Sequence, residues 1–154
     1  MSTPVVQVLT KKGRFSKWFN RRAAALTRSV YATQFGGPVV SKGMVQNDNV
    51  VHVVYIQAED GTTVAASMVI YNKRGFYRVH GLAVETEHKR KGYGTALMNK
   101  IMEIMPHRSD LILGVDIGKA ETDWLLEWYT KLGFQVIDET YDEILMHKTF
   151  FKSD

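Results

Sequence analysis

The chain of 154 residues contains no cysteine. Disulfides, thiolate metal sites and a cysteine nucleophile are therefore excluded. Long apolar runs are missing too, at the N-terminus and elsewhere, so no segment is expected to span a bilayer. Histidine is present at positions 52, 80, 88, 107 and 147, but without the spacing of metal ligands, and no metal site is expected. Neither an internal repeat nor a second domain is visible. Hydrophobic residues make up 45% of the chain, an ordinary share for a globular protein, and the length suits one domain over residues 1–154 with a full core. The expectation is a soluble protein of a reducing cytoplasm, with no membrane partner.

One further absence concerns charge. No acidic residue precedes Asp48, whereas Lys11, Lys12, Arg14, Lys17, Arg21, Arg22, Arg28 and Lys42 are all basic. The remainder holds 12 basic and 16 acidic residues, so the net charge of +4 conceals an asymmetry. Residues Ser16 to Thr33 predict an amphipathic helix with Ser16 as N-cap. Phe19, Ala23, Leu26 and Val30 fall on one face, and Lys17, Arg21 and Arg28 on the opposite one. This reads as a core-facing helix with a solvated basic back. A basic back also attracts acidic partners, nucleic acid or a membrane surface. No aromatic residue is expected among the basic ones, which makes nucleic acid the weaker partner.

The cluster Phe35-Gly36-Gly37-Pro38 ends that helix, and an irregular loop is expected to about Asn49. Strands are predicted at Val5–Leu9, Val50–Gln57, Thr62–Tyr71, Phe76–Val84, Leu111–Ile117, Gln135–Tyr141 and Glu143–Phe150. Asp60-Gly61 and Lys73-Arg74-Gly75 are the turns of a three-strand antiparallel meander. Helices are predicted over Tyr93–Met105, stopped by Pro106, and over Thr122–Leu132, stopped by Gly133. The order gives an α/β (α+β) fold with a mixed sheet and helices on both faces.

The most telling stretch is His88-Lys89-Arg90-Lys91-Gly92-Tyr93-Gly94-Thr95-Ala96-Leu97. It sets basic residues and two spaced glycines at a strand-to-helix junction. Glycine lets the backbone turn sharply and approach a ligand closely. The first N–H groups of the helix, backed by its dipole, then face that ligand. Lys89, Arg90 and Lys91 add positive charge. A phosphate-bearing guest fits such a junction.

Taken with Gly81-Leu82-Ala83-Val84 before it and Tyr129-x-x-Leu132-Gly133-Phe134 after it, the stretch resembles the GNAT superfamily of acetyl-CoA-dependent N-acetyltransferases, over Val50 to Phe150. The family's pyrophosphate loop is Arg/Gln-x-x-Gly-x-Gly/Ala. Here Lys89 stands at its first position, which keeps a donor and loses the fork of arginine. The resemblance implies the GNAT acyl-CoA N-acyltransferase fold, with a mostly antiparallel mixed sheet. It implies acetyl-CoA as co-substrate, held by Lys89, Arg90, Lys91, Gly92, Tyr93, Gly94 and Thr95 around the pyrophosphate. The backbone N–H groups of Leu82, Ala83 and Val84 would hold pantetheine and the acetyl carbonyl. Thr122 stands where many relatives carry an asparagine that bonds the pantetheine arm; its hydroxyl serves that contact or only caps the helix.

Acyl transfer to an amine needs the free base, and an alkylammonium with a pKa around 10.4 supplies little of it at pH 7. A general base and an acid for the leaving thiolate both help. By resemblance Tyr129 is the acid. His80 is the base, since His80-Gly81-Leu82-Ala83-Val84 is similar to the strand of aralkylamine acetyltransferases, where a histidine takes the amine proton through water. Alternating strand geometry sets His80 on the face of Arg78, Leu82 and Val84. Glu85 at the strand's end is the second candidate. The acceptor is a primary amine of a small molecule or a protein, and a homodimer is compatible with the pattern. Two other readings stand beside this one: an acyl-CoA-binding module without turnover, and a basic adaptor for nucleic acid.

Overall fold

The structure is a computed structural model that describes residues 4–12, 17–35, 49–88 and 91–152. The predicted N-cap Ser16, most of the loop expected before Asn49, and both Lys89 and Arg90 lie outside the described residues. Along the chain come β1 (Gln7–Thr10), α1 (Lys17–Phe35), β2 (Val50–Gln57), β3 (Thr63–Tyr71), β4 (Tyr77–Val84) and a single 3₁₀ turn (Thr86–His88). They are followed by α2 (Tyr93–Ile104), β5 (Ser109–Asp116), α3 (Thr122–Lys131), β6 (Gln135–Glu139) and β7 (Glu143–Phe150). The seven strands are ordered β1-β2-β3-β4-β5-β7-β6. Pairing of β4 with β5 is parallel, and that of β1 with β2, β2 with β3, β5 with β7 and β6 with β7 is antiparallel. This is the mixed, mostly antiparallel sheet expected, with element boundaries shifted by one to two residues.

Two compact units make up the chain: Met1–Tyr71 with His80–Ile104, and Asn72–Val79 with Met105–Asp154. In the first, β2 and β3 form a hairpin whose turn is fixed locally. Gly61 has a φ of 87°, and Asp60 Oδ1 accepts the Thr62 N–H at 2.9 Å. Val53, Val54, Tyr55 and Ile56 are all buried, so β2 is apolar on both sides and both must be covered. Helix α1, which contains neither glycine nor proline, covers one side. Its Phe19, Ala23, Leu26, Val30 and Tyr31 pack with Val50, Val53, Tyr55, Ala66, Met68 and Ala83. Thr27 is buried within that helix and satisfies its hydroxyl by donating to the Ala23 carbonyl at 2.8 Å. Helix α2 also packs on β2 and β3 but contributes nothing to the α1 cluster, so it covers the other side. Its Leu97, Met98 and Ile101 are buried, each worth roughly 1.5–3 kcal/mol.

The outer side of α1 is basic as expected, with Lys17, Arg21, Arg22 and Arg28 exposed. An aromatic residue does lie among them, because Trp18 is 65% exposed. Tryptophan is apolar enough to be counted with the core, and only its angular position on the helix separates it from Phe19.

In the second unit β5 alternates strictly, burying Ser109, Leu111, Leu113 and Val115, and β6 forms an exposed edge. Arg78 of β4 and Glu143 of β7 are ion-paired at 3.2 Å. A Cβ on Gly114 of β5 would collide with that Glu143 carboxylate, which explains a glycine inside a strand.

One polar group of the first unit is at odds with its surroundings. Ser67 lies opposite Val54, is fully buried, and its Oγ has no hydrogen-bond partner among the described residues. Ser67→Ala removes a desolvated hydroxyl and little volume. It is expected to stabilise the protein by about 1 kcal/mol. Urea unfolding checks this through a higher midpoint at unchanged slope; a lower midpoint would mean that the hydroxyl is satisfied.

Candidate active site

Most of the site residues expected from the sequence fall in the first unit. Strand β4 runs through His80, Leu82, Ala83 and Val84; Ala83 is buried in the α1 cluster, and the other three are half-buried. Gly81 between them has a φ of 73°, far from the extended backbone of a strand. A left-handed glycine inside a strand marks a bulge. The simple alternation that groups His80 with Leu82 and Val84 is therefore interrupted at Gly81. The isolated glycine was itself the signal for that irregularity.

Past Val84 the chain remains tied down. The Glu85 N–H donates to the Val64 carbonyl at 2.8 Å, and Ser29 Oγ of α1 donates to Glu85 Oε1 at 3.0 Å. The carboxylate of this candidate base is thus held by a serine that no motif singled out. The 3₁₀ turn is closed by the His88 N–H on the Glu85 carbonyl at 2.8 Å. The His88 ring then stacks on Tyr93 with centroids 5.7 Å apart, clasping the two ends of the basic loop. Lys91 is exposed, with Nζ 3.5 Å from His88 Nδ1.

The two glycines of the loop have different reasons to be there. Gly92 has a φ of 78°, a conformation that a side chain rarely tolerates, and its carbonyl accepts the Ala96 N–H at 2.9 Å. It is the residue from which the helix starts. Gly94, by contrast, has ordinary helical backbone inside α2. Glycine there costs the helix about 1 kcal/mol relative to alanine, with no conformational need to explain it. What it leaves is bare backbone in the first turn. The N–H groups of Tyr93, Gly94 and Thr95 have no partner within a helix that begins at Tyr93. An anion placed over that turn meets free donors, the positive end of the dipole and no side chain at Gly94.

The second unit contains Thr122 and Tyr129. Thr122 is the first residue of α3, and Glu121 holds the capping position. The Thr122 hydroxyl does not cap the helix; it donates to the Asp116 carbonyl at 2.7 Å and accepts the Lys119 N–H at 3.0 Å. It closes the turn after β5, and its proton is already committed. Toward pantetheine it could only accept.

Tyr129 sits three residues before the helix C-cap Leu132. Gly133 has a φ of 100°, the Gly133 N–H reaches the Thr130 carbonyl at 3.0 Å, and the Phe134 N–H reaches the Tyr129 carbonyl at 3.0 Å. This is a Schellman closure, with its apolar contact made by Tyr129 and Phe134, ring centroids 6.0 Å apart. Trp128 packs the phenol as well, at 4.8 Å between centroids. Lys148 adds a hydrogen bond from Nζ to the Leu132 carbonyl at 2.9 Å. The tyrosine–glycine–phenylalanine spacing is thus first of all a helix end that fixes one ring. Burial pushes the phenol up to about 12, so it keeps its proton at any physiological pH.

The acetyltransferase (GNAT) family model matches residues 20–134. The fold is similar to that of the IAA acetyltransferase from Bacillus cereus, with a TM-score of 0.70 and 15% identity over 96% of this chain and 100% of that one. It is also similar to the aminoglycoside 6'-N-acetyltransferase from Enterococcus faecium, with a TM-score of 0.61 and 18% identity over 96% and 99%. A further aminoglycoside 6'-N-acetyltransferase, complexed with coenzyme A, gives 0.59 and 16% over 96% and 99%. At such identities the likeness is one of fold. No curated protein sequence matches the chain.

The buried phenols carry a prediction. A group whose folded pKa is raised contributes stability that is complete below its unfolded value, here about 10, and is lost as pH rises through the folded value. Stability should therefore fall from pH 10 upward. Tyr129→Phe should lessen that fall by about 3 kcal/mol, as read from urea unfolding across the range. In an absorbance titration of the native protein, neither Tyr129→Phe nor Tyr31→Phe should reduce the step near pH 10, since burial raises both phenols. A smaller step in either variant would place that phenol in water.

Proposed function

Because the chain belongs to the acetyltransferase (GNAT) family, we propose that it is an acetyl-CoA-dependent N-acetyltransferase whose acceptor is a primary amine of a small molecule or a protein. The observation that carries this reading is Gly94, a glycine with helical backbone in the first turn of α2, directly after a Gly92 held at a φ of 78°. Together they leave a bare helix N-terminus behind a basic loop, and a pyrophosphate has the charge and the width for such a cradle. Lys91 of the loop supplies a counter-charge, as do Lys89 and Arg90 by sequence.

When bound, acetyl-CoA supplies a thioester: the amine nitrogen bonds to its carbonyl carbon, the C–S bond breaks, the nitrogen gives up one proton and the sulfur gains one. The residues of this chain then have three tasks. Backbone N–H groups of Leu82, Ala83 and Val84 would hold pantetheine and the acyl oxygen, where charge develops. His80 or Glu85 would take the amine proton, directly or through water. The bond from Ser29 supports Glu85 for this task, because it fixes the carboxylate beside the end of β4.

Tyr129 would face the departing sulfur, and its raised pKa defines what it can do there. Burial raises the phenol, so it reaches the sulfur with its proton in place. From there it can donate a hydrogen bond to the developing thiolate. We assign Tyr129 that role, with the sulfur's final proton coming from solvent.

Two substitutions test the binding and chemical halves separately. Gly94→Glu puts a carboxylate over the first turn of α2, where glutamate is well tolerated by the helix itself. It should abolish acetyl-CoA binding in isothermal titration while the circular dichroism spectrum stays that of the wild type. Unchanged affinity in the folded variant would remove the pyrophosphate cradle. Tyr129→Phe should leave acetyl-CoA affinity within a few-fold and lower kcat by roughly 10- to 100-fold, the scale of one hydrogen bond to a charged group. Equal turnover of the two proteins would reduce Tyr129 to its part in the helix end.

A further inference from the structure

The outward side of α1 is more than a solvated charge run, because of its order and where it ends. Trp18, Arg22, Ala25 and Ser29 follow one another at steps of four, three and four residues, which aligns them in one stripe along the helix. All four are exposed, Trp18 to 65%. Lys17, Arg21 and Arg28 run beside the stripe and are exposed as well. Among the described residues none of Lys17, Arg21, Arg22 and Arg28 takes part in an ion pair. The sequence offers no acidic residue before Asp48 to neutralise them. At its far end the stripe reaches the site, since Ser29 Oγ donates to Glu85 Oε1 at 3.0 Å.

We propose that this stripe docks the acceptor, and that the acceptor is an acidic peptide segment bearing a primary amine, either a lysine or an N-terminus. The proposal rests on the acetyl-transfer reading given above and names its substrate class. From Trp18 to Ser29 the helix rises about 16 Å. That is the length of roughly five extended residues and exceeds the reach of a small amine. Four unpaired cations along it attract carboxylates and repel polycationic amines, such as the aminoglycosides named for two of its structural neighbours. An exposed indole flanked by arginines is the kind of residue that anchors protein interfaces. The amine then lies at the Glu85 end, and the acidic residues lie over Arg22 and Arg28. Nucleic acid shares the charge but is less well served, because a single-strand platform needs successive stacking rings and this stripe has one.

The test uses three peptides of equal length with one lysine each, flanked by glutamate, by serine or by arginine. Thiol release from acetyl-CoA is followed at low and high salt. The glutamate peptide should exceed the serine peptide about 10-fold or more in kcat/KM at low salt, and the advantage should shrink as salt rises. Arg22→Glu with Arg28→Glu should reverse the order of the glutamate and arginine peptides. Trp18→Ala should raise KM for the glutamate peptide with little change in kcat. Acetyl-CoA affinity reports that each variant is folded. Equal rates for the three peptides, or a preference for arginine, would overturn the proposal. So would a single-stranded oligonucleotide that displaces the glutamate peptide at lower concentration than the peptide itself requires. If a small neutral amine is acetylated and no peptide is, the docking fails while acetyl transfer stands. If no amine of any kind releases thiol, both fail together.

Discussion

Strands β2 and β3 bury side chains on both sides, and the first unit is arranged around that fact. Val53 and Tyr55 point with Ala66 and Met68 into the α1 cluster, while Val54 and Ile56 are buried as well and must be covered by something else. A hairpin of this composition cannot face water on either side without exposing several large apolar groups, each worth roughly 1.5–3 kcal/mol. Helix α1 answers one side and α2 the other. Because α2 must lie on the hairpin, the chain leaving β4 has to reverse within a few residues. Glu85 bonded to Val64, the 3₁₀ turn, the His88–Tyr93 stack and the left-handed Gly92 are the means by which it does so. A bare helix N-terminus directly beyond a strand end is the by-product of that reversal, and free helix N–H groups of this kind favour an anion.

The second unit solves a different problem. Its decisive feature is the end of α3, where Gly133 adopts a φ of 100° and Phe134 closes back on Tyr129. The ring held there is packed by Trp128 and Phe134. The packing that ends the helix is also what keeps the proton on the Tyr129 oxygen, because it takes the phenol out of water.

Much of this was legible in the sequence because it is written in short-range signals. A β-branched and aromatic run located β2 with the bounds observed, the closing strand β7 was expected where it lies, Gly133 located the end of α3, and the spacing of Phe19, Ala23, Leu26 and Val30 located the buried side of α1. The family match over residues 20–134 agrees with the resemblance drawn from the two glycine motifs. Less legible were features set by angle or by distant partners. Trp18 differs from Phe19 by one step of about 100° around the helix, and that step takes it from core to solvent. Ser29 and Glu85 are separated by 56 residues, so nothing local announces their bond. Thr122 does not cap α3; its hydroxyl closes the turn after β5, which leaves the Asp116 carbonyl and the Lys119 N–H in need of partners, and neither is visible from the helix start alone. Gly81 did carry a local signal, an isolated glycine in a strand, whose consequence for His80 depends on the bulge it makes.

The account stands or falls on whether acetyl groups leave the thioester for nitrogen. The most direct measurement incubates the protein with isotopically labelled acetyl-CoA and a panel of small amines and peptides, counting released thiol and locating the label by mass spectrometry. The account predicts that thiol appears in equal amount to label fixed on nitrogen in at least one member of the panel. Tight acetyl-CoA binding with no thiol released above the rate of simple hydrolysis, whatever the amine, would contradict it and identify a binding module instead.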